Sequence, residues 1–252
     1  MNLIILTQTD AIGNDRYTLT DHRAAHIRTV LKRVLGETVE IGILNSLQGK
    51  AVITQVNDSS VMLECREWYS TQQPLAPTEI LCAIPRPKTL KKVFVTCAMM
   101  GVNRLHLVRA FKTDKSYFCS PLLQPENALP YFIEGLSLGK LTHQPEIIIH
   151  PLFRPAIEDY FAISEATSDI ATNRFLADSS SGLHLDKVYK ANPTESALIA
   201  IGPEGGWVEF ESTLLQEAGF RKFSIGPWTL RVETALTSAL AQLQLVRQLF
   251  EK

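Results

Sequence analysis

The sequence predicts an α/β protein in which a small β-rich segment precedes a larger, mostly parallel sheet with helices on both faces. Three observations lead to this fold class. Short β-branched runs separated by turn residues fill the first 69 residues. A polar stretch with two prolines follows at 70–78 and is typical of a linker. Beyond it, apolar strands alternate with helical patterns up to the C-terminus, as in a parallel sheet.

The N-terminal segment is expected to form a small β-barrel. Its clearest strands are at 39–44, 51–56 and 61–65, and turn residues such as Asn45 and Gly49 separate them. One helix interrupts this pattern at 22–33, because Asp21 can cap its start and apolar residues recur at helical spacing.

The C-terminal part is predicted from buried apolar runs and from helical periodicity. Its strands are expected at 80–84, 104–109, 146–150, 175–177, 197–201 and 222–225. Its helices are expected at 89–100, 126–138, 156–164, 208–218 and 233–250. The last helix carries a continuous apolar stripe, which either core packing or a dimer interface would explain. The domains are therefore drawn as 1–72 and 73–252.

Composition excludes several classes of protein. The chain is 45% hydrophobic and 20% charged, with a formal net charge of −1, so it is neither disordered nor collagenous nor a coiled coil. Its longest apolar stretch, at 93–102, is too short to span a membrane. The N-terminus lacks the features of a signal peptide, and we expect a cytoplasmic location. Neither the four cysteines nor the six histidines have metal-ligand spacing, so no metal is expected.

Two glycine-proline loops are the strongest local signals. The first, at 202–206, holds three glycines, follows a predicted strand and opens a predicted helix. Bare main-chain N–H groups at a helix start suit an anion or a polar ligand, although a tight structural turn would look similar. A second loop, at 226–230, lies in the same position after the next strand, and Arg231 and Glu233 follow it. Paired loops at the carboxyl ends of strands favour a ligand site.

The two loops carry a family resemblance. The run IGPEGGW followed by SIGPWTLRVETA closely resembles the C-terminal signature of the bacterial 16S rRNA uracil-N3-methyltransferases, which belong to the knotted SPOUT superfamily. The resemblance implies an N-terminal PUA-like barrel that binds RNA, a C-terminal trefoil-knotted domain and a homodimer. It also implies S-adenosylmethionine as cofactor and 16S rRNA of the small ribosomal subunit as partner.

Roles for individual residues follow from the chemistry of the implied reaction, from the resemblance and from the clustering of basic side chains. Arg231 is expected to stabilise charge on the substrate, and Glu204 and Glu233 are candidates for the general base. The residues expected to surround the cofactor are Leu176, Ala177, Asp178, Ile201, Gly202, Pro203, Gly205, Gly206, Ile225, Gly226 and Leu230. The residues expected to contact RNA, which could instead be solvated surface groups, are Arg23, His26, Arg28, Arg33, Arg86 and Lys88.

Departures from the family pattern keep other hypotheses open. Trp228 stands where the family usually has arginine, and of a glutamate–glutamine–arginine cluster only Glu134 is kept. These changes cluster where RNA would be held. The alternatives are therefore a catalytically weakened RNA-binding protein of the same fold, or a methyltransferase for a different RNA nucleotide. A nucleotide-binding α/β protein unrelated to methylation is a third.

Overall fold

The computed structural model describes residues 3–69, 76–161, 173–190 and 195–250. These residues form two six-stranded sheets, one in each predicted part of the chain. The predicted domain boundary at 72/73 lies outside the described residues. So do most of the predicted linker and the end of the predicted helix at 156–164.

The N-terminal sheet is curled and mostly antiparallel. Its strands are β1 (Ile4–Leu6), β2 (Ala11–Gly13), β3 (Arg16–Leu19), β4 (Thr38–Ile43), β5 (Gln48–Val56) and β6 (Val61–Tyr69). Their order is β1-β4-β5-β6-β3-β2, and β1 pairs with β4 in parallel. The sequence pattern predicted β4, β5 and β6, whereas β1 to β3 were not predicted. In the described residues the sheet forms a half-barrel, because β1 and β2 lie at opposite edges.

The second sheet is entirely parallel, as the strand–helix alternation predicted. Its strands are β7 (Thr78–Ala83), β8 (Arg104–Val108), β9 (Glu146–His150), β10 (Asn173–Ala177), β11 (Ala197–Ile201) and β12 (Arg221–Phe223). Their order is β12-β10-β11-β7-β8-β9. The chain adds strands on one side of β7 and then crosses to the other side. Ligands usually bind at the carboxyl ends of strands beside such a reversal.

Helices cover both faces of the parallel sheet, which confirms the prediction. They are α2 (Pro87–Met99), α3 (Pro125–Gly139), α4 (Phe153–Pro155), α5 (Leu185–Val188), α6 (Glu209–Glu217) and α7 (Val232–Phe250). Helix α1 (His22–Ala25) packs instead in the core of the N-terminal sheet. Helix α1 continues as a wider turn over His26–Val30, and α4 continues as one over Ala156–Tyr160. Asp21 caps α1 as predicted, since its carboxylate accepts the Arg23 N–H at 2.9 Å. None of the described helices combines the length and apolarity needed to cross a membrane.

Successive residues of the parallel strands point to opposite faces of the sheet and fill a separate core on each face. Ile80 and Cys82 of β7 face α2, α3 and α7, whereas Leu81 between them faces α4 and α6. Cys97 of α2 is also buried, and both cysteines serve as small core residues. The apolar stripe of α7 contributes Leu236 and other residues to the first core.

The close packing of α2 on α3 depends on a small side chain at Gly135. A Cβ atom there would collide with the carbonyl oxygen of Val95 and lie 2.8 Å from the Cβ of Ala98. We expect Gly135→Ala to lower the free energy of unfolding by about 1–3 kcal/mol, because a main-chain atom must shift to accommodate it. Urea denaturation measures this, with exposed Gly182→Ala as the control, where a Cβ meets nothing. Equal stability of the two variants would contradict the prediction.

Hydrogen bonds join the N-terminal sheet to the end of α3 and to the segment that follows it. The Leu3 N–H donates to the Ser137 carbonyl at 3.1 Å, and the Ser137 hydroxyl donates to the Leu3 carbonyl at 2.6 Å. The Asn45 N–H donates to the Thr142 carbonyl at 2.7 Å, and the Thr142 hydroxyl donates to Ser46. These contacts, together with burial of Leu3 in the core beside the parallel sheet, fix the relative position of the two sheets.

A buried chain of polar side chains crosses strands β7, β8 and β9. His106 lies 2.9 Å from a Glu79 oxygen and 3.1 Å from His150, while Arg104 pairs with the other Glu79 oxygen at 3.2 Å. Burial and then the neighbouring His106 lower the pKa of His150 from 6.5 to about 4. His150 is the last residue of β9. No group of three or more potential metal ligands occurs in the parts of the chain that the structure describes.

The lowered pKa of His150 makes stability dependent on pH. Unfolded His150 takes up a proton below about pH 6.5, whereas the folded residue stays neutral until about pH 4. The unfolded state therefore binds more protons, and we expect the melting temperature to fall as the pH drops between these values. His150→Gln, which keeps a polar group but cannot titrate, should flatten this dependence. His22→Gln, at a histidine with an 81% exposed side chain, is the control; identical profiles for all three proteins would refute the prediction.

Candidate functional site

A cavity of about 410 Å³ opens at the carboxyl ends of β10, β11 and β12. Of the residues that were predicted to surround the cofactor, all line this cavity except Leu176. Leu176 is fully buried in the core that lies between the parallel sheet and helices α4 and α6. Ser179, Glu204, Trp207, Trp228, Thr229, Val232 and Ala235 also line the cavity. The parallel register explains this arrangement, because three strands that run in the same direction end at one edge of the sheet.

The walls of this cavity offer main-chain and side-chain donors. The N–H groups of Gly202, Glu204 and Gly205 donate to no protein acceptor in the described residues. Gly206 has a φ of +69°, a left-handed conformation that favours glycine. The indole Nε1 of Trp207 is buried and, within the described residues, has no hydrogen-bond partner. A buried donor without a partner is unfavourable, so these groups suit a polar ligand.

Asp178 places a carboxylate at the rim of the same cavity. It accepts hydrogen bonds from the N–H and hydroxyl of Ser180, at 2.9 and 2.7 Å, and pairs with Lys222 at 3.2 Å. Burial alone would raise the pKa of Asp178, but these bonds and the charge of Lys222 outweigh it and lower the pKa. Asp178 is therefore ionised at neutral pH.

A second cavity, of about 430 Å³, adjoins the first and brings together the predicted catalytic residues Glu204, Arg231 and Glu233. Glu204 and Val232 line both cavities. Arg86, Thr89, Lys112, Asp114 and Tyr117 complete the second one. Its basic side chains suit a polyanionic substrate next to the first cavity's ligand.

The two candidate bases differ in their surroundings. The Glu233 carboxylate accepts a hydrogen bond from Lys92 at 2.9 Å, and this bond, more than any other influence, lowers the pKa of Glu233. A carboxylate held in this way is a weaker proton acceptor. The exposed Glu204 side chain makes no hydrogen bond or ion pair within the described residues, and it is therefore available to a substrate.

Sequence reasoning missed Lys112, Asp114 and Tyr117 at this site. They belong to the segment between β8 and α3, where two short 3₁₀ turns, Lys115–Cys119 and Pro121–Leu123, replace longer regular structure. No glycine motif or periodicity marks that segment. Its one general signal was its position directly after a parallel strand, which sends it to the same edge of the sheet.

The predicted RNA-contacting residues fall into two groups. Arg86 and Lys88 are exposed at the start of α2, and Arg86 lines the second cavity. Arg23 is an internal structural residue, because its guanidinium binds Asp10, Asp21 and the Ile5 carbonyl. Its predicted contact with RNA stays a prediction.

The other residues of the α1 region are only partly accessible. Arg33 pairs with Glu37 at 3.1 Å. His26 and Arg28 are half-buried, and His26 lines a groove between the N-terminal sheet and α3. These three side chains do not surround the two cavities at the parallel sheet.

The two tryptophans of the glycine-proline loops have different environments. Trp207 packs on Phe153 with ring centroids 5.6 Å apart, and its side chain forms part of the inner wall of the first cavity. Trp228 is 66% exposed at the cavity mouth. A Cβ on Gly226 would lie 2.6 Å from the Trp228 ring, so glycine allows this close contact. Only Trp228 is open enough to meet a large substrate.

Comparisons with known proteins give a consistent result for the chain. A family model described as an RNA methyltransferase domain matches residues 71–244. The chain is 28% identical over 242 residues to the ribosomal RNA small subunit methyltransferase E of Treponema pallidum, covering 96% of this chain and 90% of that protein. It is 26% identical over 239 residues to ribosomal RNA small subunit methyltransferase E 1 of Borreliella burgdorferi, covering 95% of each.

Solved structures share the fold over nearly the whole chain. A ribosomal RNA small subunit methyltransferase E from Neisseria gonorrhoeae, bound to S-adenosyl methionine, matches with a TM-score of 0.74 and 16% identity, covering 97% of this chain and 98% of that one. A Legionella pneumophila protein in complex with the cofactor SAM matches with a TM-score of 0.75 and 19% identity, with the same coverage. At these identities the likeness shows a common fold.

Proposed function

The chain belongs to the RNA methyltransferase family, and on that premise we propose that it methylates N3 of a uridine in 16S rRNA of the small ribosomal subunit. S-adenosylmethionine is the proposed methyl donor. The observation that carries this proposal is the pair of adjoining cavities, of which one offers main-chain donors and the other holds Arg231 and Glu204. The full-length relatives named as small-subunit rRNA methyltransferases support the substrate class.

The residues of the first cavity fit the proposed cofactor. The bare N–H groups of Gly202, Glu204 and Gly205 and the unpaired Trp207 Nε1 suit the edges of an adenine ring. The ionised Asp178 suits hydroxyl or ammonium groups, and apolar side chains such as Ile201 and Leu230 suit the flat face of the base. When bound, the cofactor supplies an electrophilic methyl group, whose carbon–sulfur bond breaks while the electron pair stays on sulfur.

The residues of the second cavity would prepare the uracil for methylation. Uracil N3 carries a proton at neutral pH, and it must lose this proton to become nucleophilic. In our proposal the Glu204 carboxylate accepts that proton, because Lys92 holds Glu233 in an ion pair. The negative charge left on the base spreads over N3 and the two carbonyl oxygens. Arg231 binds one of these oxygens and stabilises the charge.

The finer features of the fold and assembly are also proposals. We propose that the curled N-terminal sheet is a PUA-like barrel, that the parallel domain contains a trefoil knot, and that 1–72 and 73–252 are the two domains. A homodimer is supported by exposed Leu245 and Leu249 on α7, which carries the apolar stripe. Since ribosomal RNA is the proposed substrate, the enzyme would act in the cytoplasm.

The RNA strand would enter beside the basic rim of the second cavity. Arg86 and Lys88 are the proposed phosphate contacts there, because both are exposed at the start of α2. His26, Arg28 and Arg33 would contact more distant parts of the RNA from the N-terminal domain. The net charge of −1 implies that such binding is local rather than a general affinity for polyanions.

Two measurements test the proposed function. Calorimetry should show binding of S-adenosylmethionine, and purified protein should transfer a methyl group to 30S subunits from a strain that lacks the corresponding enzyme. Mass spectrometry of the digested rRNA should then find 3-methyluridine. Cofactor binding without transfer would favour the alternative of an RNA-binding protein that has lost activity. A different methylated nucleoside would overturn the uridine assignment alone.

A further inference from the structure

The segment after β8 connects the two cavities through one lysine. The Lys112 ammonium lines the second cavity and donates a hydrogen bond of 2.6 Å to the carbonyl oxygen of Gly205, in the wall of the first. The aliphatic part of Lys112 lies on Gly205, since a Cβ there would be 2.9 Å from the lysine Cδ. The ammonium is therefore held at the boundary between the two cavities.

The buried carboxylate of Glu211 holds the main chain next to Lys112 in place. The N–H of Phe111 donates at 2.6 Å to one carboxylate oxygen of Glu211, and the other oxygen accepts the Val208 N–H at 3.1 Å. Glu211 is only 2% exposed, and both of its carboxylate oxygens are used in these bonds. They join the Lys112 segment to the start of α6, directly after the glycine-proline loop.

An ammonium group has three donors, and Gly205 uses one of them. No other protein acceptor binds Lys112 Nζ in the residues that the structure describes. Its remaining donors belong to a cavity whose other charged groups are Arg86, Asp114, Glu204, Arg231 and Glu233. The Asp114 carboxylate already accepts a hydrogen bond from the Ser116 N–H at 2.8 Å, and Glu233 is paired with Lys92.

Resting on the proposed function, we propose that Lys112 donates a hydrogen bond to one carbonyl oxygen of the target uracil while Arg231 binds the other. The proton from N3 moves to Glu204, and the two cations share the charge that this leaves on the base. A preorganised donor at each oxygen favours the deprotonated uracil over the neutral one. Cytosine has an amino group where uracil has one of its two carbonyl oxygens. A lysine ammonium can only donate hydrogen bonds, so it cannot bind that amino group. The pair therefore also selects uracil.

The test compares Lys112→Met with the wild type in single-turnover methyl transfer to unmethylated 30S subunits across a range of pH. At neutral pH we expect the rate to fall on the order of 100-fold. The defect should shrink as the pH rises, because hydroxide then removes the N3 proton without help from a cation. Lys112→Arg, which keeps the charge, should recover part of the rate. Lys187→Met, at an exposed lysine outside both cavities, should behave as the wild type.

Calorimetry with S-adenosylhomocysteine separates this role from a structural one. If Lys112 contacts the substrate, Lys112→Met should keep its affinity for this product within about threefold, since the first cavity is intact. Weakened affinity together with a rate loss that is equal at every pH would show that Lys112 only holds the Gly205 loop, and would overturn the inference. A normal rate in Lys112→Met would also overturn it. Absence of methyl transfer by the wild type would instead refute the proposed function itself.

Discussion

Replacing Arg231 with alanine should lower the rate of methyl transfer on the order of 100- to 1,000-fold while S-adenosylhomocysteine still binds. Arg231 lines the second cavity but not the first, so its loss removes charge stabilisation from the uracil and leaves the proposed cofactor walls in place. Single-turnover transfer to 30S subunits measures the first effect, and calorimetry with S-adenosylhomocysteine measures the second.

Two further variants make the Arg231 result specific. Arg231→Lys should recover only part of the rate, because an ammonium lacks the planar, two-pronged donor geometry of guanidinium. Arg154→Ala, at an exposed arginine of α4 that lines neither cavity, should leave the rate unchanged. Turnover of Arg231→Ala at the wild-type level would remove this residue from the mechanism.

Glu204→Gln should lower the neutral-pH rate on the order of 100-fold, because the amide cannot accept the N3 proton. The loss should diminish at high pH, where hydroxide in solution replaces the carboxylate. The measurement is the pH profile of single-turnover methyl transfer. The affinity for S-adenosylhomocysteine shows whether the substitution has disturbed the first cavity. Glu204 borders both cavities, so this second measurement is necessary.

Glu233→Gln provides the direct comparison between the two candidate bases. Its carboxylate is bound to Lys92 and has a lowered pKa, and we expect its replacement to have the smaller effect. Glu209→Gln, in the exposed first turn of α6, controls for a general change of charge. A larger loss in Glu233→Gln than in Glu204→Gln would reverse the assignment of the base.

Hydrophobic patterns in the sequence predicted those strands and helices whose formation depends mainly on neighbouring residues. Strand β9 (Glu146–His150) and strand β11 (Ala197–Ile201) begin and end where apolar runs predicted them. Helix α1 was predicted to reach residue 33 but ends its regular turns at Val30. Strands β1 to β3 escaped prediction, since three or four residues are too few to show alternation and their pairing depends on distant partners.

The roles of charged side chains were less accessible to prediction. Arg23 was predicted as an RNA contact from its place in a basic run, and nothing in the sequence indicated that its guanidinium binds the buried Asp10. The partner of Glu233 is Lys92, 141 residues away in the chain. Neither pairing leaves a periodic or spaced signal, because each arises only when separate elements pack together.

The alternation of strands and helices, and the two glycine-proline loops at the carboxyl ends of strands, could be predicted without the structure. These features depend on hydrophobic periodicity and on backbone freedom at glycine, which neighbouring residues specify. Which side chains share a cavity became known from the folded chain alone, as for Lys112 and Gly205, which are 93 residues apart. Such contacts depend on how complete elements pack against one another, and no local stretch of sequence encodes that packing.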